Sequence, residues 1–185
     1  MPAVRIIGGQ WRSRQIHFVD MPGLRPTQDR IRETLFNWLT PFIVNACCLD
    51  LFAGSGVLGF EALSRGASFS CFVENNRQAV IELRNNAEKL AINPQQFAIV
   101  RGLVPHHLPT LPQAPFDIVF LDPPFHQNLL TVSIAWLVHS QLVRPGAIIY
   151  LEMEKDLDLI LPKDWEIYRR QATATLIYQL VRVKI

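Results

Sequence analysis

Asp50-Leu51-Phe52-Ala53-Gly54-Ser55-Gly56-Val57-Leu58-Gly59 is the stretch on which the reading of the fold turns. The apolar run from Cys47 to Phe52 reads as a buried strand and Val57 to Arg65 as a helix, so glycines 54, 56 and 59 form a G-x-G-x-x-G turn between them. Glycine at such a turn lets the backbone bend sharply and approach a ligand closely. Outward from it the pattern repeats. Ser70 to Glu74 reads as the next strand, and Asn76 to Ala91 as a helix whose Val80, Leu83, Ala87 and Leu90 share a face. Phe97 to Val100 is a short strand. Phe116 to Leu121 is apolar on both faces, as central parallel strands are. A helix carrying Leu130, Ile134, Leu137 and Val138 follows, then Arg144-Pro145-Gly146 and a strand from Ala147 to Leu151. Alternation of this kind marks an α/β fold with a mostly parallel sheet. Trp165 to Arg169 and Thr175 to Val183 follow each other with no crossover helix, which requires an antiparallel pair at the end of the chain.

Residues 47–185 therefore read as the main domain and residues 1–46 as an appendage too short to fold alone. Within the appendage, Val4, Ile6 and Ile7 lie on one side of Gly8-Gly9, and Ile16 and Phe18 on the other, which fits a hairpin. Met21-Pro22-Gly23 and Pro26 read as a rigid connection. Thr27 reads as an N-cap, with Ile31, Leu35, Trp38 and Leu39 on one helical face until Pro41.

The 185 residues hold 49% hydrophobic and 18% charged side chains with a net charge of +2, which excludes a disordered chain. No apolar run approaches the ~18 residues of a membrane span. Nor has the N-terminus a stretch of signal-peptide length, so the expected compartment is the cytosol. Cys47, Cys48 and Cys71 sit in apolar segments and read as reduced core thiols, and His106-His107 lacks metal-ligand spacing with them. No metal is expected. Charge is uneven along the chain: residues 1–46 carry six arginines against Asp20, Asp29 and Glu33, and residues 1–19 carry Arg5, Arg12 and Arg14 with no acid before Asp20. Such an arm suits a polyanion, with Trp11 as a candidate stacking face.

Two features of the main domain carry chemistry. Glu74 ends the strand after the glycine turn, 20 residues beyond Gly54, where a carboxylate accepts hydrogen bonds from vicinal ribose hydroxyls. Asp50 lies just before the glycines; it repels a pyrophosphate but suits the amino group of a methionine moiety, which favours S-adenosylmethionine over a nicotinamide dinucleotide. Phe52, Ala53, Gly54, Ser55, Gly56, Asn75, Gly102 and Leu103 complete the expected cofactor set. The second feature is Asp122-Pro123-Pro124-Phe125, directly after the central strand and hence beside the glycine turn at the carboxyl end of the sheet. Neither proline has an N–H, so the segment offers mainly acceptors. Acceptors on an exocyclic NH2 favour a more tetrahedral nitrogen with its lone pair free for an electrophilic methyl, and Phe125 supplies a face for an extruded base.

Arg5-Ile-Ile-Gly-Gly, Leu24-Arg-Pro-Thr-Gln-Asp-Arg-Ile-Arg-Glu-Thr-Leu-Phe-Asn-Trp38, the glycine turn, Glu61-Ala-Leu-Ser-Arg-Gly-Ala67 and Asp122-Pro-Pro-Phe together resemble the RsmD-type methyltransferases of bacteria, from about residue 4 to the C-terminus. The resemblance implies a Rossmann-like class I methyltransferase domain of seven strands with an antiparallel C-terminal hairpin. It implies methylation of the N2 of a guanine in small-subunit (16S) ribosomal RNA, presented on an assembling subunit; a monomer is expected, although the sequence does not reveal the oligomeric state. One departure stands out: after the third strand related enzymes often place an Asp or Asn on the adenine amino group, whereas here the segment is Arg101-Gly102-Leu103, so adenine must rely on backbone near Gly102 and Leu103. The competing readings are an N6-adenine methyltransferase, since Asp-Pro-Pro-Phe alone does not separate two exocyclic amines, and a non-catalytic RNA-binding factor. A dinucleotide oxidoreductase leaves Asp122-Pro-Pro-Phe unexplained.

Overall fold

In the computed structural model the described residues are 2–20, 27–106 and 108–185. The connection expected at Met21-Pro22-Gly23 and Pro26, the first residues of the Leu24–Trp38 motif, and His107 lie outside them. The main sheet is built from β3 (Cys47–Asp50), β4 (Phe69–Glu74), β5 (Phe97–Arg101), β6 (Phe116–Leu121), β7 (Val143–Glu154), β8 (Trp165–Ala172) and β9 (Leu176–Val183). Their order across the sheet is β5-β4-β3-β6-β7-β9-β8. The first five are parallel, and β9 runs antiparallel to both β7 and β8. The chain leaves β3 toward β4 and β5 and later returns to β6 on its other side. That reversal opens a crevice at the carboxyl ends of β3 and β6, where ligands bind in open α/β sheets.

Side chains alternate between the faces. Cys48, Phe72, Ile118 and Phe120 join one core with α1 (Asp29–Leu39), α2 (Val57–Ser64) and α3 (Arg77–Lys89); Leu49, Cys71, Val119 and Leu121 join another with α4 (Leu129–His139). All three cysteines are free and buried, and burial pushes the Cys47 and Cys71 thiols up to about 11 and about 12. Arg144-Pro145-Gly146 does not precede the strand as expected but lies inside β7: Phe116 pairs with Val143 and then Ile118 with Ile148, an irregularity in which Gly146 takes φ 82°. Among the described residues no helix is long and apolar enough to cross a membrane.

The N-terminal hairpin pairs β1 (Ala3–Arg5) with β2 (Gln15–His17), and Ile6 and Ile16 are buried in the same core as α1 and α2. Glu61 holds it there. Its buried carboxylate accepts the Ile7 N–H at 2.9 Å and the Gly8 N–H at 2.8 Å, and pairs with Arg65 at 2.8 Å and Arg32 at 3.6 Å. Gly9 carries φ 75° against the end of α2, where a Cβ would stand 1.9 Å from the Ser64 carbonyl oxygen, so only glycine fits. Arg32 is 0% exposed. It donates to the carbonyls of Arg5 at 2.8 Å and Thr27 at 3.1 Å and to Asp29 at 2.6 Å, joining the hairpin to the start of α1. Thr27 is not the N-cap. Gln28 occupies that position with no side-chain bond, and the Thr27 hydroxyl is used elsewhere.

Candidate active site

A cavity of about 950 Å³ opens at the crevice, large enough for a nucleoside cofactor together with part of a second ligand. Its floor is the turn after β3. Gly54 (φ 51°) and Gly56 (φ 76°) are both left-handed, and Gly56 caps α2. Gly54, Ser55, Phe52 and Ala53 line the cavity; Gly56 does not, because its N–H donates to the Ala53 carbonyl at 2.6 Å and its α-carbon packs toward Leu83 and Phe60. Gly59 serves packing: a Cβ there would meet the Phe72 ring at 2.3 Å.

Glu74 does more than end a strand. One carboxylate oxygen accepts the Gly54 N–H at 2.8 Å and the other the Asn76 N–H at 2.8 Å, so the residue fastens the glycine turn to the start of α3. A carboxylate has about four acceptor sites, so two remain for ribose hydroxyls. Asn75, Gly102 and Leu103 line the same wall. The Gly102 N–H donates to the Glu74 carbonyl at 3.1 Å, which leaves the backbone at Leu103 for a base.

Asp122 stands across the cavity from Glu74, one residue past β6, with Pro123, Pro124 and Phe125 beside it. Its Oδ2 accepts the Thr27 hydroxyl at 3.0 Å. Thr27 is in turn held through its carbonyl by the buried Arg32, so the appendage supplies a fixed donor to this carboxylate. After Phe125 the loop is pinned by Glu154, which accepts the His126 N–H. Thr27, Gln28 and Ile31 line the cavity and were not expected there. Reading Thr27 as a cap hid it, since a threonine before a helix looks the same whether its hydroxyl serves the helix or a neighbour.

Glu152 is the other unforeseen residue. It is 6% exposed, lines the cavity, and accepts the Tyr150 hydroxyl at 2.7 Å. The expected strand stopped at Leu151; the alternation Tyr150, Glu152, Glu154 running on through β7 was the available signal.

These acids raise one another. Burial, then the charge of Asp122, pushes Asp50 up to about 8 although it is also hydrogen-bonded by the Gly59 and Phe52 backbone. Burial and Asp122 likewise push Glu152 to about 8. Burial lifts Asp122 to about 6 against the Thr27 hydrogen bond, which lowers it. Carboxylates so destabilised in their charged forms favour a cation in the cavity. S-adenosylmethionine, with a sulfonium and an ammonium, fits that demand, and the remaining acceptors of Glu74 fit its ribose.

Arg5, Trp11, Arg12 and Arg14 do not line the cavity. The three arginines are exposed, and Arg14 donates to the Lys89 carbonyl at 2.6 Å. Trp11 is half-buried and packs on the core.

The family model described as "Conserved hypothetical protein 95" matches residues 4–182. Ribosomal RNA small subunit methyltransferase D of Haemophilus influenzae is 44% identical over 178 residues, 96% of this chain and 92% of that protein. The protein of the same name from Escherichia coli K12 is 41% identical over 186 residues, 96% of this chain and 88% of that protein. The chain belongs to this RsmD family. A solved structure, "Putative methyltransferase yhhF from Escherichia coli", superposes on it with a TM-score of 0.87 at 40% identity over 99% of each chain. The seven-stranded sheet and N-terminal hairpin described above are thus those of an RsmD-family protein, and its fold is the class I methyltransferase fold.

Proposed function

We propose that this RsmD-family protein transfers a methyl group from S-adenosylmethionine to the exocyclic N2 of a guanine in 16S ribosomal RNA, within an assembling small subunit in the cytosol. The observation that carries the reading is Asp122, fixed by Thr27 across the cavity from the glycine turn and Glu74. Glu74 would hold the ribose, Asp50 the amino group, and the backbone at Leu103 the adenine. When bound, the cofactor supplies an electrophilic methyl on a positively charged sulfur.

What the protein adds is alignment. Asp122 would accept one N–H of the amine and a backbone carbonyl of the segment the other, since neither proline contributes a competing N–H. With both hydrogens held, the nitrogen lone pair points away from them, toward the methyl. Burial leaves Asp122 near 6, ionised at neutral pH and too weak a base to strip a proton from a neutral aromatic amine. The N–C bond would therefore form before the amine is deprotonated, as the sulfur–methyl bond breaks and its electron pair stays on sulfur to leave a neutral thioether; the nitrogen, now cationic, would then lose one proton through Asp122 to solvent. Phe125 offers its ring to the extruded base.

Support for an RNA substrate comes from the names of the family relatives and from the basic hairpin. Arg5 and Arg12 are exposed on it, and Arg14 reaches α3 through only one of its nitrogens. Arginine forks suit phosphate oxygens. The test is incubation with labelled S-adenosylmethionine and unmethylated small subunits, followed by mass spectrometry of the nucleosides. Label in N2-methylguanosine is expected; label in N6-methyladenosine would transfer the case to the adenine reading.

A further inference from the structure

We infer that Glu152 selects guanine by accepting the N1–H of the target base beside the N2 amine held at Asp122. The inference rests on the proposed guanine-N2 reaction and adds the residue that enforces it. Its basis is register. Leu121 of β6 pairs with Leu151 of β7, so Asp122, just past the end of β6, and Glu152, still within β7, each follow one member of that pair, on neighbouring parallel strands that are spaced roughly 4.8 Å apart. Both line the large cavity, and Glu152 also lines a smaller one of about 220 Å³ reached past Pro123, Pro124 and Phe125. The Tyr150 hydroxyl orients Oε2, and among the described residues no side chain or backbone N–H donates to Oε1.

A buried carboxylate without a full set of donors is costly unless a ligand provides one. Two adjacent acids here wait for two adjacent donors. On the Watson–Crick edges of the bases only guanine presents contiguous donors, N1–H next to N2–H2. Adenine puts a lone pair at N1 beside its amine, cytosine puts one at N3, and uracil flanks its single N3–H with two oxygens. Burial and the charge of Asp122 raise Glu152 in the free protein, a cation entering the cavity beside it favours its ionised form, and that carboxylate then repels the N1 lone pair of adenine. The tetrapeptide Asp122-Pro-Pro-Phe does not distinguish guanine from adenine; Glu152 does, and Asp122 is left to position the reacting nitrogen.

The test uses 2-aminopurine, which keeps the amine at C2 but carries a lone pair at N1. Small subunits are reconstituted with RNA bearing guanosine or 2-aminopurine riboside at the position the parent enzyme methylates, and kcat/KM is measured for both. The parent should prefer guanosine by ~10²-fold or more, the scale for a site whose polar group is left facing the wrong partner. In Glu152→Gln the side-chain amide donates to N1, so the preference should shrink at least tenfold, with S-adenosylmethionine affinity measured alongside as a check on folding. Tyr150→Phe, which removes the orienting hydroxyl, should narrow the preference in the same direction by a smaller factor. An identical ratio in parent and both variants overturns the role of Glu152 while leaving guanine-N2 methylation intact. Label in N6-methyladenosine with the parent enzyme instead overturns the reaction itself, and the inference with it.

Discussion

Replacing Arg32 with Met keeps most of the side-chain volume and removes the charge at the point where hairpin, helix and active site are joined. The guanidinium is fully buried, and its donors reach the Arg5 carbonyl at 2.8 Å and the Thr27 carbonyl at 3.1 Å, with Glu61 at 3.6 Å. The contact with Asp29 adds little, because that carboxylate is 68% exposed. Removing one partner of a buried pair costs about 3–5 kcal/mol, since the other charge and its hydrogen-bonding neighbours stay behind in a dry site. Arg65 on the second Glu61 oxygen keeps the loss from going higher. For a chain of this size each kcal/mol lowers Tm by about 2–4 °C, so Arg32→Met should melt roughly 6–20 °C below the parent. Thermal and urea unfolding followed by circular dichroism measure this directly. A loss under ~1 kcal/mol would show that the buried network contributes no more than a surface ion pair, and the account of why the appendage is seated on α2 would be wrong.

Thr27→Val removes the hydroxyl that lowers Asp122, so the acidic limb of the pH–kcat profile, set by a group near 6, should move to higher pH, and an unmoved limb would deny that Asp122 must be ionised. Glu74→Ala should weaken S-adenosylmethionine binding by ~1.5–3 kcal/mol in calorimetry, and should also destabilise the free protein because the Gly54 and Asn76 N–H groups lose their acceptor. Asp50, Asp122 and Glu152 titrate higher in the folded chain than their ordinary 3.8, 3.8 and 4.5. The folded state therefore holds protons that the unfolded state has released, and the stability of the free protein should fall as pH rises from about 4 to about 8, as a series of unfolding midpoints would show. Binding of the cationic cofactor at pH 7 should expel a proton from Asp50, seen as a binding enthalpy that depends on the buffer.

The sheet was legible because its signals are local. Phe116 to Leu121 is bounded as expected, and the glycine turn, Glu74 and Asp122 fall at strand ends that periodicity alone locates. Asp50, Glu74 and Asp122 converge on one cavity because β3, β4 and β6 are neighbours, which the βα alternation implies. What escaped depends on contacts between distant segments. Arg32 reads as one more polar residue of an amphipathic helix, and nothing within its own segment reveals that Glu61 lies opposite. Thr27 reads as a cap, and its bond to Asp122 spans 95 residues. Glu152 was out of view because the strand was ended three residues early, at Leu151 instead of Glu154. The arginines of the hairpin were legible as exposed charge, but the seat of Gly8-Gly9 on α2 was not, since it depends on the shape of another element.

The central claim is that Asp122 holds the reacting amine and leaves the cofactor alone. The direct measurement is turnover and S-adenosylmethionine affinity side by side for Asp122→Ala, on small subunits known to accept label from the parent. Loss of one preorganised polar group should cut kcat by ~10²-fold or more, while cofactor affinity, carried by Glu74, Asp50 and the glycine turn, changes far less. Turnover within a few-fold of the parent would contradict the claim, and so would a loss of turnover matched by an equal loss of cofactor binding.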